Sequence, residues 1–396
     1  MTQDEWAAAK AARESGDYAA ELRLYRVMSD RGNARAQAKL GAMYEKGRGV
    51  PKDHAEAMKW FHKAAKQGEA RAQCNLANLY DRGRAVPQDY VAAMRWYRMA
   101  ADQGVARAQH NLGVMHERGR GVPPDNAEAT KWYRMAAERG FARAQFNLGV
   151  MYDQGRGVPQ DFAEAMKWFR KAAERNHVKA QFNIGWMYEG GQGVAQNYAG
   201  AMSWYRKAAE QGDAAALNNI GSMFATGRGV PQDFGEAIKW YRRAADQGDA
   251  AAQSNVGSMY ALGRGVPRDY AEAMKWYRKA ADQGDVAAQS SVGSMYATGR
   301  GVPEDFTAAL SWYRRAADQG DASAQHNLGT LYAAGKGVLR DHVQAFIWYT
   351  LAAARFPAED AVNRAKAIKG CDSEAAKMTQ HEIAEAQRLA REWMPK

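Results

Sequence analysis

The segment Ala252-Gln-Ser-Asn-Val-Gly-Ser-Met-Tyr-Ala-Leu-Gly-Arg-Gly-Val-Pro-Arg-Asp269, followed by Trp276-Tyr-Arg-Lys-Ala-Ala-Asp-Gln-Gly284, recurs with variations along most of this 396-residue chain. Its tryptophan returns at Trp60, Trp96, Trp132, Trp168, Trp204, Trp240, Trp276, Trp312 and Trp348, every gap being 36 residues. Length alone would suggest two or three globular domains. Unrelated domains have no reason to share one register without an insertion or deletion, so the chain is a repeat array.

Each unit reads as two helices. The first, Ala36 to about Lys46, stops at Gly47, which takes the left-handed conformation that closes a helix, and Pro51 forbids its continuation. Asp53 is an N-cap for the second helix, with Glu56 three residues on to complete a capping box. Asp125/Glu128, Asp161/Glu164, Asp233/Glu236 and Asp269/Glu272 repeat the device. The second helix runs to Gln67 and closes at Gly68; Asn176, the next-best left-handed residue, takes that place in one repeat. A single pair of short helices cannot bury its apolar stripe alone. Stacked pairs can, with Met58, Trp60, Ala64 and Ala65 against Leu40, Met43 and Tyr44. The tryptophan ladder is therefore assigned to the core, and Trp204→Ala is expected to cost roughly 3–5 kcal/mol.

The text A-Q-x-N-L-G-x-M-Y-x-x-G-R-G-V-P-x-D, then A-E-A-M-K-W-Y-R-K-A-A-x-x-G, resembles the Sel-1-like repeat family, the 36-residue branch of the tetratricopeptide-like superfamily. It covers residues 36–356 as nine repeats. Residues 1–35 resemble a degenerate helix pair with Leu24 at the tryptophan position, and residues 357–396 resemble the helices that cap such arrays. The resemblance implies an all-α, right-handed superhelical solenoid of stacked antiparallel helix pairs. It also implies a non-catalytic adaptor that binds a partner protein. Some relatives with disulfide-linked repeats are associated with penicillin binding, which makes a cell-wall-fragment binder or hydrolase the alternative. Against it, Cys74 and Cys371 do not supply paired cysteines in the repeats, and no serine is followed by x-x-Lys.

Composition and motifs exclude more than they assign. No stretch approaches 18 consecutive apolar residues, so no membrane span is expected. The charged opening MTQDEWAAAKAARESGDY has no apolar core of a leader, which makes the cytoplasm the default location, or an exported one if a leader has been removed. Gly329 to Lys336 is one residue too long for a phosphate loop, and Gly337 stands where Ser or Thr is needed. His381-Glu382 is followed by Glu385 where a zinc protease needs a second histidine. His110 and His116 lie about 240° apart around a helix and cannot share a metal from one face. No cofactor and no metal are expected. The net charge of +11 raises nucleic acid as a partner. The regular cations Lys59, Arg95, Lys131, Lys167, Lys239 and Lys275 read as a solvated outer face without interleaved aromatics, so non-specific binding of nucleic acid or acidic surfaces is the weaker alternative.

Helical geometry separates packing from presentation. At 100° per residue, positions 35, 38, 39, 42, 45 and 46 share one face of the first helix, opposite 36, 40, 43, 44 and 47. First helices line the concave face of such solenoids. Along this stripe run Arg71, Arg107, Arg143 and Lys179; Asn111, Asn147 and Asn183 form part of an asparagine ladder suited to holding peptide backbone or to bridging repeats. Large aromatics occur on it only in the middle, as Phe146, Phe182 and Trp186. Residues 1–215 carry a net charge of +9, against +2 for residues 216–396. The facing acids Asp81, Glu117, Asp153 and Glu189 are the candidates to neutralise the cations. The expected partner is an acidic, aromatic-containing segment of another protein lying across residues 71–190 of a monomer. Its binding should be sensitive to Arg107 and Arg143 but not to the outer Arg242 and Arg278.

Overall fold

The computed structural model describes residues 3–393, which form 22 helices and no strand. Two compact units, residues 1–197 and 198–396, divide the chain. The first begins with α1 (Gln3–Glu14) and α2 (Tyr18–Asp30). It continues as antiparallel pairs: α3 (Ala34–Lys46) with α4 (His54–Lys66), α5 (Ala70–Arg82) with α6 (Tyr90–Asp102), α7 (Ala106–Arg118) with α8 (Asn126–Glu138), and α9 (Ala142–Gln154) with α10 (Phe162–Ala173); it ends on α11 (Val178–Gly190). The second runs from α12 (Tyr198–Glu210) through α13 (Ala214–Thr226), α14 (Phe234–Ala245), α15 (Ala250–Leu262), α16 (Tyr270–Asp282), α17 (Val286–Thr298), α18 (Phe306–Asp318), α19 (Ala322–Ala334) and α20 (His342–Arg355). It closes with α21 (Ala361–Ala375) and α22 (Gln380–Glu392). No helix is long and apolar enough to cross a membrane among the described residues.

Local chemistry sets the boundaries. Gly47 closes α3 at φ 69°, and Asn176 follows α10 at φ 58°, as a left-handed residue must. Asp53 accepts from the backbone N–H groups of Ala55 and Glu56 at 2.8 and 2.9 Å. The other half of the expected capping box does not form there. The Asp53 N–H donates to Tyr44 O at 3.0 Å, tying the loop back to α3. Glu56 instead accepts from Lys59 Nζ at 2.9 Å and Trp60 Nε1 at 3.1 Å. Asp269 and Glu272 behave alike, with Tyr260 O, Lys275 and Trp276 as partners. A complete box does form at Thr379 and Glu382, where α22 starts.

One loop carries strain. Gly49, Gly121 and Gly157 take positive φ at the third loop position, and Ala85 stands there at φ 70°. An L-residue pays about 1–2 kcal/mol for that conformation, partly offset by the greater unfolded-state entropy of glycine. Ala85→Gly is therefore expected to raise stability by about 0.5–1 kcal/mol. An unchanged or lower urea midpoint would show the strain to be relieved elsewhere.

The core corrects the assignment of the tryptophans. The buried aromatic ladder lies one residue later: Phe61, Tyr97, Tyr133, Phe169, Tyr205, Tyr241, Tyr277, Tyr313 and Tyr349 are all buried. The rings of Phe61, Tyr133, Phe169, Tyr241, Tyr277, Tyr313 and Tyr349 pack on glycines of the first helix. A Cβ on Gly113 would lie 2.6 Å from the Tyr133 ring, and one on Gly149 2.6 Å from Phe169. Trp60, Trp132, Trp312 and Trp348 are buried, whereas Trp96, Trp168, Trp204, Trp240 and Trp276 are half-buried. Lys207 Nζ covers the Trp204 ring at 4.0 Å, so that ring is an edge of the core, not its centre, and truncating it costs less than full burial implies.

Adjacent repeats are joined by buried glutamines. Gln73 Nε2 donates to Ala65 O at 3.2 Å, the C-terminal end of the preceding second helix, and its own Oε1 accepts from Gln103 Nε2 at 2.8 Å. Gln253 makes the same bonds to Ala245 O and Gln283. Each such amide satisfies a carbonyl that a helix end leaves open. At the C-terminal end, α22 contributes Ala386 and Ala390 to the cluster around Phe346, Trp348 and Leu351, and Trp393 meets Trp348 edge-on at 6.1 Å.

Candidate interaction surface on the first helices

The face expected to receive a partner is narrower than the helical wheel implies. Arg71, Arg107, Arg143 and Lys179 are exposed, one on each of α5, α7, α9 and α11. Position 38 instead turns into the seam between repeats: Ala38 and Cys74 are buried. Phe146 lies against Phe169 at 5.7 Å and stacks at 4.7 Å on His177, the N-cap of α11. Phe182 is half-buried as well. Trp186, at 44% exposure, is the aromatic of the three that stands clear of the core.

The asparagine ladder spends much of its capacity inside the array. Asn147 Nδ2 meets His110 Nε2 at 3.3 Å, and His110 Nδ1 meets Asn111 Oδ1 at 3.2 Å. Burial holds the His110 imidazole below its ordinary value, with Arg143 acting in the same sense. In the second unit Asn255 Nδ2 donates to Asn218 Oδ1 at 2.9 Å. Asn183 is half-buried on α11. Between neighbouring first helices sit the tyrosine hydroxyls, which the sequence reading missed. Tyr97 is bonded by Asn78 and Asn111, and Tyr133 by Glu117 and Asn147. Burial raises both phenols far above their ordinary value, so they stay neutral, Tyr97 accepting from Asn78 and Tyr133 donating to Glu117; Tyr313 is pushed up to about 12 for the same reason. The recurring Tyr one residue after Trp, opposite Asn, Ser or Thr at position 42, was the available signal.

Two of the four facing acids, Glu117 and Asp81, meet loop arginines. Glu117 accepts from Arg156 of the next loop at 2.9 Å and from the Tyr133 hydroxyl at 2.5 Å. Asp81 faces Arg120 at 3.8 Å. Both partners of Glu117 are replaced at Asp153, where Phe169 stands for the tyrosine and Gln192 for the loop arginine. One Asp153 oxygen is buried without a hydrogen-bond partner, and burial raises its carboxyl above the usual range. Arg107 contacts Cys74 Sγ at 3.3 Å and donates to Asn75, so its reach is fixed by neutral groups, not by a carboxylate.

The outer face also differs from expectation. Its cations are interleaved with aromatics after all: Lys171 covers Trp168 at 4.0 Å, Lys279 covers Trp276 at 4.2 Å, and Arg98 reaches Trp132 of the next repeat at 4.8 Å. Arg242 and Arg278 are hydrogen-bonded to Tyr260 and Tyr296, which makes them poor neutral controls. The aromatic faces there are covered by the chain's own side chains.

Nine copies of the Sel1 repeat match this chain, at residues 34–69, 70–105, 106–141, 142–177, 178–213, 214–249, 250–285, 286–321 and 322–355. Among solved structures it is similar to c5321, a protective antigen present in uropathogenic Escherichia coli strains and displaying an SLR fold. That likeness is 32% identity over 94% of each chain, with a TM-score of 0.54. It is also similar to a Sel1 repeat protein from Oxalobacter formigenes, at 35% identity over 62% of this chain and 96% of that one, with a TM-score of 0.57. Among curated proteins, none matches. With nine consecutive matched repeats covering most of its length, the chain belongs to the Sel1 repeat family.

Proposed function

We propose that this protein is a non-catalytic interaction scaffold whose first-helix face, across residues 71–190, grips an acidic, aromatic-containing segment of a partner protein. Sel1 repeat proteins are typically scaffolds without an active site, which supports the class. The observation that carries the finer reading is the row Arg71, Arg107, Arg143 and Lys179, exposed on four successive first helices while Asp81 and Glu117 are engaged by loop arginines. Guanidinium groups take carboxylates bidentately, and a row of them focuses its field along a groove. A cytoplasmic location belongs to the same reading and fits the free thiols Cys74 and Cys371.

A labelled peptide of glutamates around one tryptophan tests it by fluorescence titration. Arg107→Glu/Arg143→Glu is expected to weaken binding by about tenfold or more, and raising salt from about 50 to 500 mM should weaken the native complex similarly. Arg95→Glu/Lys167→Glu, on the outer face, should leave affinity unchanged. Equal loss from the outer pair would move the interface off the first helices.

A further inference from the structure

Lys39 interrupts the asparagine ladder: the same position is Asn75, Asn111, Asn147, Asn183, Asn219, Asn255, Ser291 and Asn327 in the other repeats. Three cavities share Lys39 as a wall. One of about 290 Å³ adds Arg35, Arg71 and Glu69. One of about 390 Å³ adds Arg13, Arg35, Trp6 and Tyr25. The smallest, about 70 Å³, adds Arg13 and the buried Glu21. Arg13, Arg35 and Arg71, from α1, α3 and α5, thus surround Lys39 in adjoining cavities, with Lys10, Lys46 and Arg48 also on their walls.

The chain does not neutralise Lys39 or the three arginines around it. Within the described residues none of Arg13, Arg35, Lys39 and Arg71 forms an ion pair. Glu69 is spent as the N-cap of α5, accepting from the Ala72 N–H at 2.6 Å. Arg35 lies over the Trp6 ring at 4.7 Å, a contact that orients the guanidinium and leaves its N–H groups open. Each cavity has at least two more cations than carboxylates on its walls, so a ligand of at least two negative charges completes the site. The donors arrive from three helices. A planar carboxylate accepts a fork from one side, whereas tetrahedral oxygens accept from several directions at once.

We propose that the Lys39 basin binds a small phosphoryl oxyanion, either inorganic pyrophosphate or a compact phosphate ester. Burial, together with Arg13, Arg71 and Arg35, holds the Lys39 ammonium below its usual value, with Glu21 opposing. That environment is short of negative charge, and a bound oxyanion would supply it. The site shares Arg71 with the proposed partner row, and its test uses Lys39 and Arg13, which lie outside that row.

The test titrates pyrophosphate, glycerol 3-phosphate and citrate into the full chain, reading tryptophan fluorescence and the thermal midpoint. Saturable 1:1 binding of a phosphoryl probe, with a raised midpoint, is expected. Lys39→Asn installs the residue of the sibling repeats and should fold like the native chain while binding about tenfold or more weakly. Arg13→Gln, a second variant away from the ladder, should weaken binding likewise. A tighter pyrophosphate identifies an inorganic ligand and a tighter ester an organic one. Undiminished binding in both variants, citrate binding as tightly as the phosphoryl probes, or no saturable binding by either probe at millimolar concentration would each overturn the assignment.

Discussion

Phe169→Ala is expected to lower stability by about 3–5 kcal/mol, and Trp168→Ala, one residue earlier, by about 1–2 kcal/mol. The order opposes side-chain size, and burial is the reason. Phe169 is 1% exposed, pinned between Gly149 and the Phe146 ring, so its removal leaves a cavity that two helices and the next repeat cannot collapse to fill. Trp168 is half-buried with Lys171 over its face; truncation exposes that side to water, which enters freely. Neighbouring repeats supply each other's buried faces, so the Phe169 vacancy should also uncouple α9 and α10 from the rest of their unit. Urea unfolding of the two variants decides the matter. A larger loss for Trp168→Ala would return the tryptophans to the centre of the core.

The distinction between these two residues marks where sequence reading stopped. Spacing and turn chemistry dictated the helix pairs: Gly47, Pro51, Asp53 and Asn176 act on their own backbone within a few residues, and the structure has them acting so. Trp168 and Phe169 are only 100° apart on one helix, and both are large aromatics. Which is deeper depends on where Gly149 of another helix leaves room, a tertiary fact. Position 38 slipped for the same reason, since Phe146 sits one residue from the presented Asn147 and His177, at the start of α11, draws it inward. The capping boxes failed through competition. Tyr44 O claims the Asp53 N–H, and the freed Glu56 finds Lys59 and Trp60. Side-chain partners 30 or more residues away, such as Gln73 with Gln103, leave no trace in local propensity.

Trp186→Ala should abolish most of the affinity for the acidic aromatic peptide, a loss of about thirtyfold or more, corresponding to about 2 kcal/mol for a central aromatic anchor. The thermal midpoint should move by no more than about 2 °C, because the indole is already 44% in water and its removal opens no sealed cavity. Phe146→Ala is the internal comparison. It lies in the seam, stacked on His177 and tilted against Phe169, so its truncation should cost stability, and any loss of binding would follow from the displaced repeat. Binding and melting thus separate at Trp186 and move together at Phe146. The chemistry behind this asymmetry is the position each occupies on its helix: Trp186 is at position 42, where the other repeats carry small or polar residues such as Asn78, Ser222 and Thr330. A tryptophan there gains little from packing, which leaves an exposed flat surface with few rotors beside a row of cations. If Trp186→Ala melted the protein along with the binding, the indole would belong to the core, and the anchor would have to be sought among the cations alone.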